Sequence, residues 1–220
     1  MTLYAWLNRA FILSLGCAIG FAAVASLVGM NRIEAFDRTL IDYWQGLENP
    51  ALTRAMMFFT TIGSGGPVVA ITVAIMMFLY FVLKHRRELI LFVFALGGSE
   101  ALNILLKLAF RRERPTFHRL VPESGFGFPS GHSMGAFSLY GVLAFLLWKH
   151  IPVWWGRTVL ILASCALILA IGISRIYLGV HYPSDVLGGY LASGFWLAAS
   201  IWTYQKYSEY VISKLRVRTN

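Results

Sequence analysis

The chain has little charge. Asp, Glu, Lys and Arg make up 13% of its 220 residues, against roughly a quarter in an ordinary soluble domain. Carboxylates are the scarcer sign, with 10 Asp and Glu against 19 Lys and Arg. This composition excludes a conventional water-soluble globule. Cysteine is nearly absent too. Cys17 and Cys165 fall inside apolar runs, so they read as small buried hydrophobes and carry no information about redox compartment. No internal repeat, low-complexity tract or domain boundary interrupts residues 1–220, so a single domain is expected. The net charge is +9, but its cations sit in short clusters between apolar runs. No basic domain is present, which disfavours nucleic-acid binding.

What the chain does have is long apolar runs, with 58% of residues hydrophobic. Phe11–Met30 matches the roughly 20 residues that cross a bilayer as a helix. It is longer than a signal-peptide core, and no small-residue cleavage site follows, so a transmembrane helix is expected. Further spans are expected at Pro67–Leu83, Leu89–Phe110, Ser130–Trp148, Thr158–Ser174 and Pro183–Tyr204. Gly63-Ser64-Gly65-Gly66-Pro67 breaks the apolar run Ala51–Ile62 from the second span, with Pro67 at a helix start. After the first span, Ile33, Phe36, Leu40, Tyr43, Trp44 and Leu47 recur near helical spacing among Glu34, Asp37, Arg38, Asp42 and Glu48. That pattern predicts an amphipathic segment lying at the membrane interface. Residues 205–220 read as a basic tail. The fold class is therefore all-α, an integral membrane bundle of six transmembrane helices with an interfacial amphipathic segment.

Six spans put both termini on one side. That side carries Arg9, Lys84, Arg86, Arg87, Lys149, Arg157, Lys206, Lys214, Arg216 and Arg218, ten cations against nine on the other. Lys107, Arg114 and Arg175 belong to a candidate site, so chemistry sets their place; without them the count is ten against six. The positive-inside rule then places both termini in the cytoplasm. Trp6, Trp148, Trp154, Trp155 and Trp202 fall at the inner interface and Trp44 at the outer one.

The third span is not wholly apolar. Glu100, Asn103 and Lys107 interrupt it at i, i+3 and i+7, on one helix face. Ionisable groups within a span face protein or a wet cavity and are functional candidates. A structural Glu100–Lys107 ion pair is the plainer alternative. Pro129-Ser130-Gly131-His132 stand where a loop becomes the fourth span. A helix start offers free N–H groups and the positive end of its dipole, which can hold an anion. Gly131 allows close backbone approach, and His132 can exchange a proton near neutral pH. Taken alone, the stretch could equally be a capped helix start.

The six-span topology brings three groups to the same outer side: Lys107 with Arg114, Ser130 to His132, and Arg175 with His181 and Asp185. Three cations, a helix start and two histidines suit a phosphate and the charge of an in-line transition state. Pro183 at the first helical position puts Asp185 in the first turn and His181 just before it. An Asp185 oxygen can then accept the His181 N–H, fixing the tautomer and strengthening the other ring nitrogen as a nucleophile. His132 is left to protonate the leaving oxygen, a contribution of about 10²–10⁴ in rate. A metal held by His132, His181, Asp185 and Glu100 fits poorly among Lys107, Arg114 and Arg175, so none is expected, and no other cofactor.

Lys107-x6-Arg114-Pro115, Pro129-Ser130-Gly131-His132 and Ser174-Arg175-x5-His181-x3-Asp185 together resemble the type 2 phosphatidic acid phosphatase family. All eleven fixed positions are present in order, within a family-like region of about residues 50–205. The resemblance implies a six-helix membrane fold and metal-independent hydrolysis of a phosphate ester or anhydride. It implies that His181 attacks phosphorus to give a phosphohistidine, that Asp185 orients it, and that His132 protonates the leaving group. Lys107, Arg114, Ser130, Gly131 and Arg175 are implied to hold the phosphoryl oxygens. Glu100 lies outside the pattern and is expected to act from behind it.

The expected substrate is a lipid phosphate in the plasma membrane. Undecaprenyl diphosphate is favoured, because an outward-facing site suits recycling of that carrier lipid. Phosphatidylglycerophosphate and phosphatidic acid are the alternatives within the family. Soluble vanadium-dependent haloperoxidases share the phosphate-site pattern, but six spans argue against that reading. A sugar-phosphate phosphatase needs a polar substrate path. A transporter could use Glu100 and Lys107 as a proton path, but has no need of the histidine arrangement, and no inverted repeat is present.

Overall fold

The computed structural model describes residues 3–84, 86 and 88–218, and among them only helices and their connections occur. In chain order the helices are α1 Leu3–Gly29, α2 Glu34–Gly46, α3 Pro50–Ile62, α4 Gly65–Met77, α5 Glu88–Phe110, α6 Gly131–Trp148, α7 Trp154–Tyr177 and α8 Pro183–Arg218. A π-helical turn, Phe78–Val82, extends α4. Six of these are long and apolar enough to cross a membrane: α1, α4 with its π turn, α5, α6, α7 and α8. The protein is an all-α, multi-pass membrane protein. Phe81, Ile90, Val159 and Leu162 point outward, as a lipid solvent allows.

Local chemistry sets the short elements. Asn49 Oδ1 accepts from the N–H groups of Ala51 and Leu52 at 3.1 and 3.0 Å, and Pro50 opens α3 where no N–H is needed. α2 is the expected amphipathic segment, and it buries two residues, Asp37 and Ile41. α3 runs antiparallel to the end of α7, with Thr53 bonded to the Tyr177 hydroxyl at 2.7 Å and Thr60 bonded to Arg175.

α6 packs against α5, α7 and α8, and α1 lies along α8, where the Ser14 hydroxyl donates to the Phe195 carbonyl at 3.1 Å. The largest apolar cluster joins Leu79, Leu91, Phe92, Ala95, Leu139, Val142, Leu146 and Leu197. Lipid tails are as apolar as leucine, so close packing and dispersion hold this cluster in the bilayer. A second cluster centres on Phe128, whose ring lies 4.9 Å from Phe110 and 5.8 Å from Phe21. Aromatic pairs of this kind add about 0.5–1.5 kcal/mol beyond their buried area. They fix the residue before Pro129, and so the point at which α6 can begin.

Several boundaries differ from the sequence reading. α7 begins at Trp154 and ends at Tyr177, so Arg175 lies in its last turn, held there by α3. α8 continues to Arg218, so residues 205–218 are helical where a tail was expected. No Gly or Pro interrupts that stretch, and Lys206 pairs with Glu209 one turn on at 3.7 Å. Pro67 sits two residues inside α4, within the first turn, where its missing N–H is tolerated. Cys165 is exposed and Cys17 half-buried, where two buried thiols were expected, because both border a cavity of about 690 Å³ between α1, α6, α7 and α8. Arg87 and the side chains of Trp6, Arg216 and Arg218, used in the orientation argument, lie outside the described residues.

Candidate active site

The three sequence blocks meet at one end of α5–α8. Lys107 occupies the last turn of α5, and Arg114 the loop that follows. Ser130 caps α6, which Gly131 and His132 open. Arg175 closes α7, His181 lies in the turn to α8, and Asp185 sits in the first turn of α8. Hydrogen bonds between distant segments fix this meeting. The Ser130 N–H donates to the Asp185 carbonyl at 3.0 Å. The Asn103 amide donates to the Pro129 carbonyl at 3.2 Å, and the Ser130 hydroxyl accepts from the Ser133 hydroxyl at 3.0 Å. A Cβ on Gly131 would stand 3.1 Å from Asn103 Oδ1 and 3.7 Å from Lys107 Nζ, so glycine lets the helix start approach α5.

The His181 tautomer follows from its partners. Arg114 Nη1 lies 2.9 Å from His181 Nε2, and arginine cannot accept, so Nε2 is the acceptor. The ring proton is then on Nδ1, which faces Asp185 Oδ2 at 3.2 Å. That oxygen also accepts the Tyr182 N–H at 2.9 Å. His181 is 1% exposed. Burial, with Arg114, Arg175 and Lys107 nearby, holds its pKa well below the ordinary 6.5. The result is a neutral imidazole with its lone pair at Nε2.

Around this ring lie the cations. Arg175 is 3% exposed; its Nη1 donates to Thr60 Oγ1, its Nη2 pairs with Glu123, and its Nε is buried with no partner. Glu123 Oε1 also stands 3.9 Å from Arg114 Nη2, so one carboxylate bridges both guanidiniums. Burial alone would raise the Glu123 pKa, but Arg175 and Arg114 outweigh it and hold it below the usual carboxylate value. Burial lowers the Arg114 pKa against the pull of Glu123 and Asp185. His132 lies within electrostatic reach of Arg175, His181, Glu123 and Lys107. A Cβ on Gly63, at the break between α3 and α4, would stand 3.3 Å from the His132 ring.

Some residues stand apart from the sequence reading. Glu100 is exposed and makes no ion pair within 4 Å with Lys107, while Asn103, from the same face, is buried against the start of α6. Among the described residues, no three His, Cys, Asp or Glu side chains cluster so as to hold a metal ion. Asp37, Thr60, Arg112, Glu123 and Ser184 escaped notice, although each touches a candidate residue or its direct partner. For Asp37 a signal existed: it lies four residues from both Ile33 and Ile41, on the buried side of α2. Glu123 sits in a loop without periodicity, so no pattern marked it.

Residues 88–209, more than half of the chain, match the profile of the PAP2 superfamily. The protein belongs to this superfamily. Its similarity to a phosphatidylglycerophosphatase B from Bacillus subtilis (strain 168) is 36% identity over 172 residues, covering 77% of this chain and 84% of the relative. A putative undecaprenyl-diphosphatase from Escherichia coli (strain K12) is 32% identical over 139 residues, covering 59% of this chain and 64% of its own. The crystal structure of the transmembrane PAP2-type phosphatidylglycerolphosphate phosphatase from Bacillus subtilis superposes with a TM-score of 0.73 at 30% identity. That match covers 90% of this chain and 97% of the other. This PAP2 protein is therefore a membrane lipid phosphatase, and the convergence of the three motif blocks is its candidate catalytic centre.

Proposed function

We propose that this PAP2 phosphatase removes the terminal phosphate of a lipid phosphate through a covalent intermediate on His181. The observation that carries the reading is the His181 environment, with its proton on Nδ1 toward Asp185 and its lone pair on Nε2, where the Arg114 Nη1 donor must give way to phosphorus. In the first step Nε2 attacks phosphorus, the bond from phosphorus to the leaving oxygen breaks, and His132 gives that oxygen a proton. In the second, His132 takes a proton from water, the water oxygen attacks the phosphohistidine, and inorganic phosphate leaves with the N–P bond broken. Lys107, Arg114, Arg175 and the N–H groups at the start of α6 hold the phosphoryl oxygens. The buried, unpartnered Arg175 Nε supports its assignment as one of these donors. No metal takes part in this scheme.

Undecaprenyl diphosphate is the first substrate to test, on the reading of an outward-facing site with both termini cytoplasmic. Arg112 is tied to the buried Asp37 and Asp185, so chemistry sets its place as it does for the three site cations; without it the count is ten against five, which supports that orientation. Phosphatidylglycerophosphate is the second reading, favoured by the longer match to a phosphatidylglycerophosphatase B.

The test is phosphate release from undecaprenyl diphosphate, phosphatidylglycerophosphate and phosphatidic acid by detergent-purified protein in chelator. Turnover in chelator and its loss in His181→Ala are expected. Abolition by chelator, or normal turnover by His181→Ala, overturns the scheme, and the preferred lipid decides between the two substrates. In a background lacking Cys17 and Cys165, Phe117→Cys should react with an impermeant thiol reagent from outside the cell; reaction only from the cytoplasm reverses the orientation.

A further inference from the structure

The proposed chemistry ends at Asp185, but the buried polar structure does not. Asp185 Oδ1 is free of His181 and takes Arg112 Nη1 at 2.6 Å. The other terminal nitrogen of Arg112, Nη2, meets Asp37 Oδ2 at 2.8 Å. Asp37 comes from α2, 75 residues before Arg112 and outside the region that matches the family profile. Both of its oxygens are engaged, because Oδ1 accepts the Ser184 N–H at 2.8 Å and Oδ2 accepts the Ser184 hydroxyl at 2.7 Å. Arg112 Nη1 also reaches the Ser184 hydroxyl, at 2.7 Å, and its guanidinium lies 4.3 Å from the Tyr182 ring centroid.

Geometry gives this chain a direction. Asp185 is fully buried and Asp37 is 2% exposed, so neither carboxylate is steadied by water. One guanidinium fork joins them, and only arginine has the reach and planarity to span two carboxylates in this way. Asp37 holds the fork from one end and the residue beside Asp185 from the other, through Ser184. The Asp185 carboxylate is thereby kept from turning, with Oδ2 on the His181 ring. A buried acid on the inward face of an otherwise amphipathic helix would be strongly unfavourable without such partners.

We infer that Asp37 is a positioning residue of the catalytic pair, acting on His181 through Arg112 and Asp185, and that α2 is thus part of the catalytic apparatus. The inference rests on the reading of His181 as nucleophile.

The experiment is a double-mutant cycle in kcat and KM for a lipid phosphate in detergent, with folding followed by size-exclusion chromatography and thermal melting. Asp37→Asn should lower kcat about 10–100-fold, by analogy with losing the carboxylate partner behind a metal-bound histidine, and leave KM nearly unchanged. In an Asp185→Asn background the same substitution should lower kcat by less than about threefold, because acting through a shared partner is non-additive. Should Asp37→Asn not fold, Arg112→Lys takes its place in the same cycle, since it keeps the charge and loses the fork. An unchanged kcat, or equal losses in both backgrounds, overturns the inference. Normal turnover by His181→Ala instead removes the reading beneath it, so the two failures are distinguishable.

Discussion

At the motif end of the bundle, hydrogen bonds join residues as far apart as Asp37 and Ser184, Thr60 and Arg175, and Asn103 and Pro129. At the opposite end the same helices meet through the apolar side chains of Leu79, Leu91, Phe92, Leu139, Val142 and Leu197. The first region is specified atom by atom, because each buried donor and acceptor needs a particular mate. The second is specified by volume, and many apolar side chains of similar size could fill it. One end of a helix can therefore be chemically exacting while the other tolerates change.

The sharpest test of this contrast is His181→Ala. Loss of a nucleophile should reduce turnover by about 10⁴-fold or more in protein that is still folded at the assay temperature. A fall in activity that tracks unfolding would mean that the polar end is merely structural. Phe92→Ala, in the apolar cluster, should do the reverse. It should lower stability by about 3–5 kcal/mol while kcat of the folded fraction is unchanged, as denaturation and assay of the same sample would show. Arg175→Lys keeps the charge but cannot serve Thr60, Glu123 and a phosphoryl oxygen at once. A loss of about 10²–10³ in kcat/KM is expected from steady-state kinetics.

The two ends also differ in pH response. Below pH 6.5 the unfolded chain protonates its histidine, while folded His181, with its depressed pKa, does not. Stability should therefore fall as pH drops below 6.5, with a slope of at most about 1.4 kcal/mol per pH unit from this group. Glu123 acts at more acid pH. Its depressed carboxyl contributes stability above the ordinary value of 4.5 that is lost as pH falls through its folded value. Thermal melts from pH 7.5 to 3 should show both limbs, and His181→Ala should reduce the first. The smallest effect belongs to neither end. Arg38 and Glu34 form an exposed pair at 3.8 Å, and Arg38→Ala should change stability by less than about 1 kcal/mol in the same melts.

The contrast also explains what could be read in advance. The six spans follow from apolar length, which lipid imposes whatever the packing, so their number and order were plain. Boundaries were less so, since whether Arg175 ends a helix or begins a loop depends on Thr60 and Glu123, far off in the chain. The residues of the three blocks were legible because each block is local in sequence. Their partners were not. Arg112 stands among other cations in a basic loop and Glu123 in a loop without periodicity, so neither carries a local signal. Glu100 was expected to face protein or a wet cavity, yet it is exposed, while Asn103 and Lys107 on the same face of α5 are buried and half-buried.

The amino-acid sequence by itself determined the helical class, the membrane solvent and the identity of the candidate phosphate-handling groups. Each of these rests on composition or on spacing within a few turns. Tertiary structure alone decided the surroundings of those groups: the Arg114 donor that assigns the His181 tautomer, the Glu123 carboxylate between two arginines, and the path from α2 through Asp37 and Arg112 to Asp185. Buried charges find partners by proximity in space, and proximity across 147 residues of chain exists only once the helices have packed.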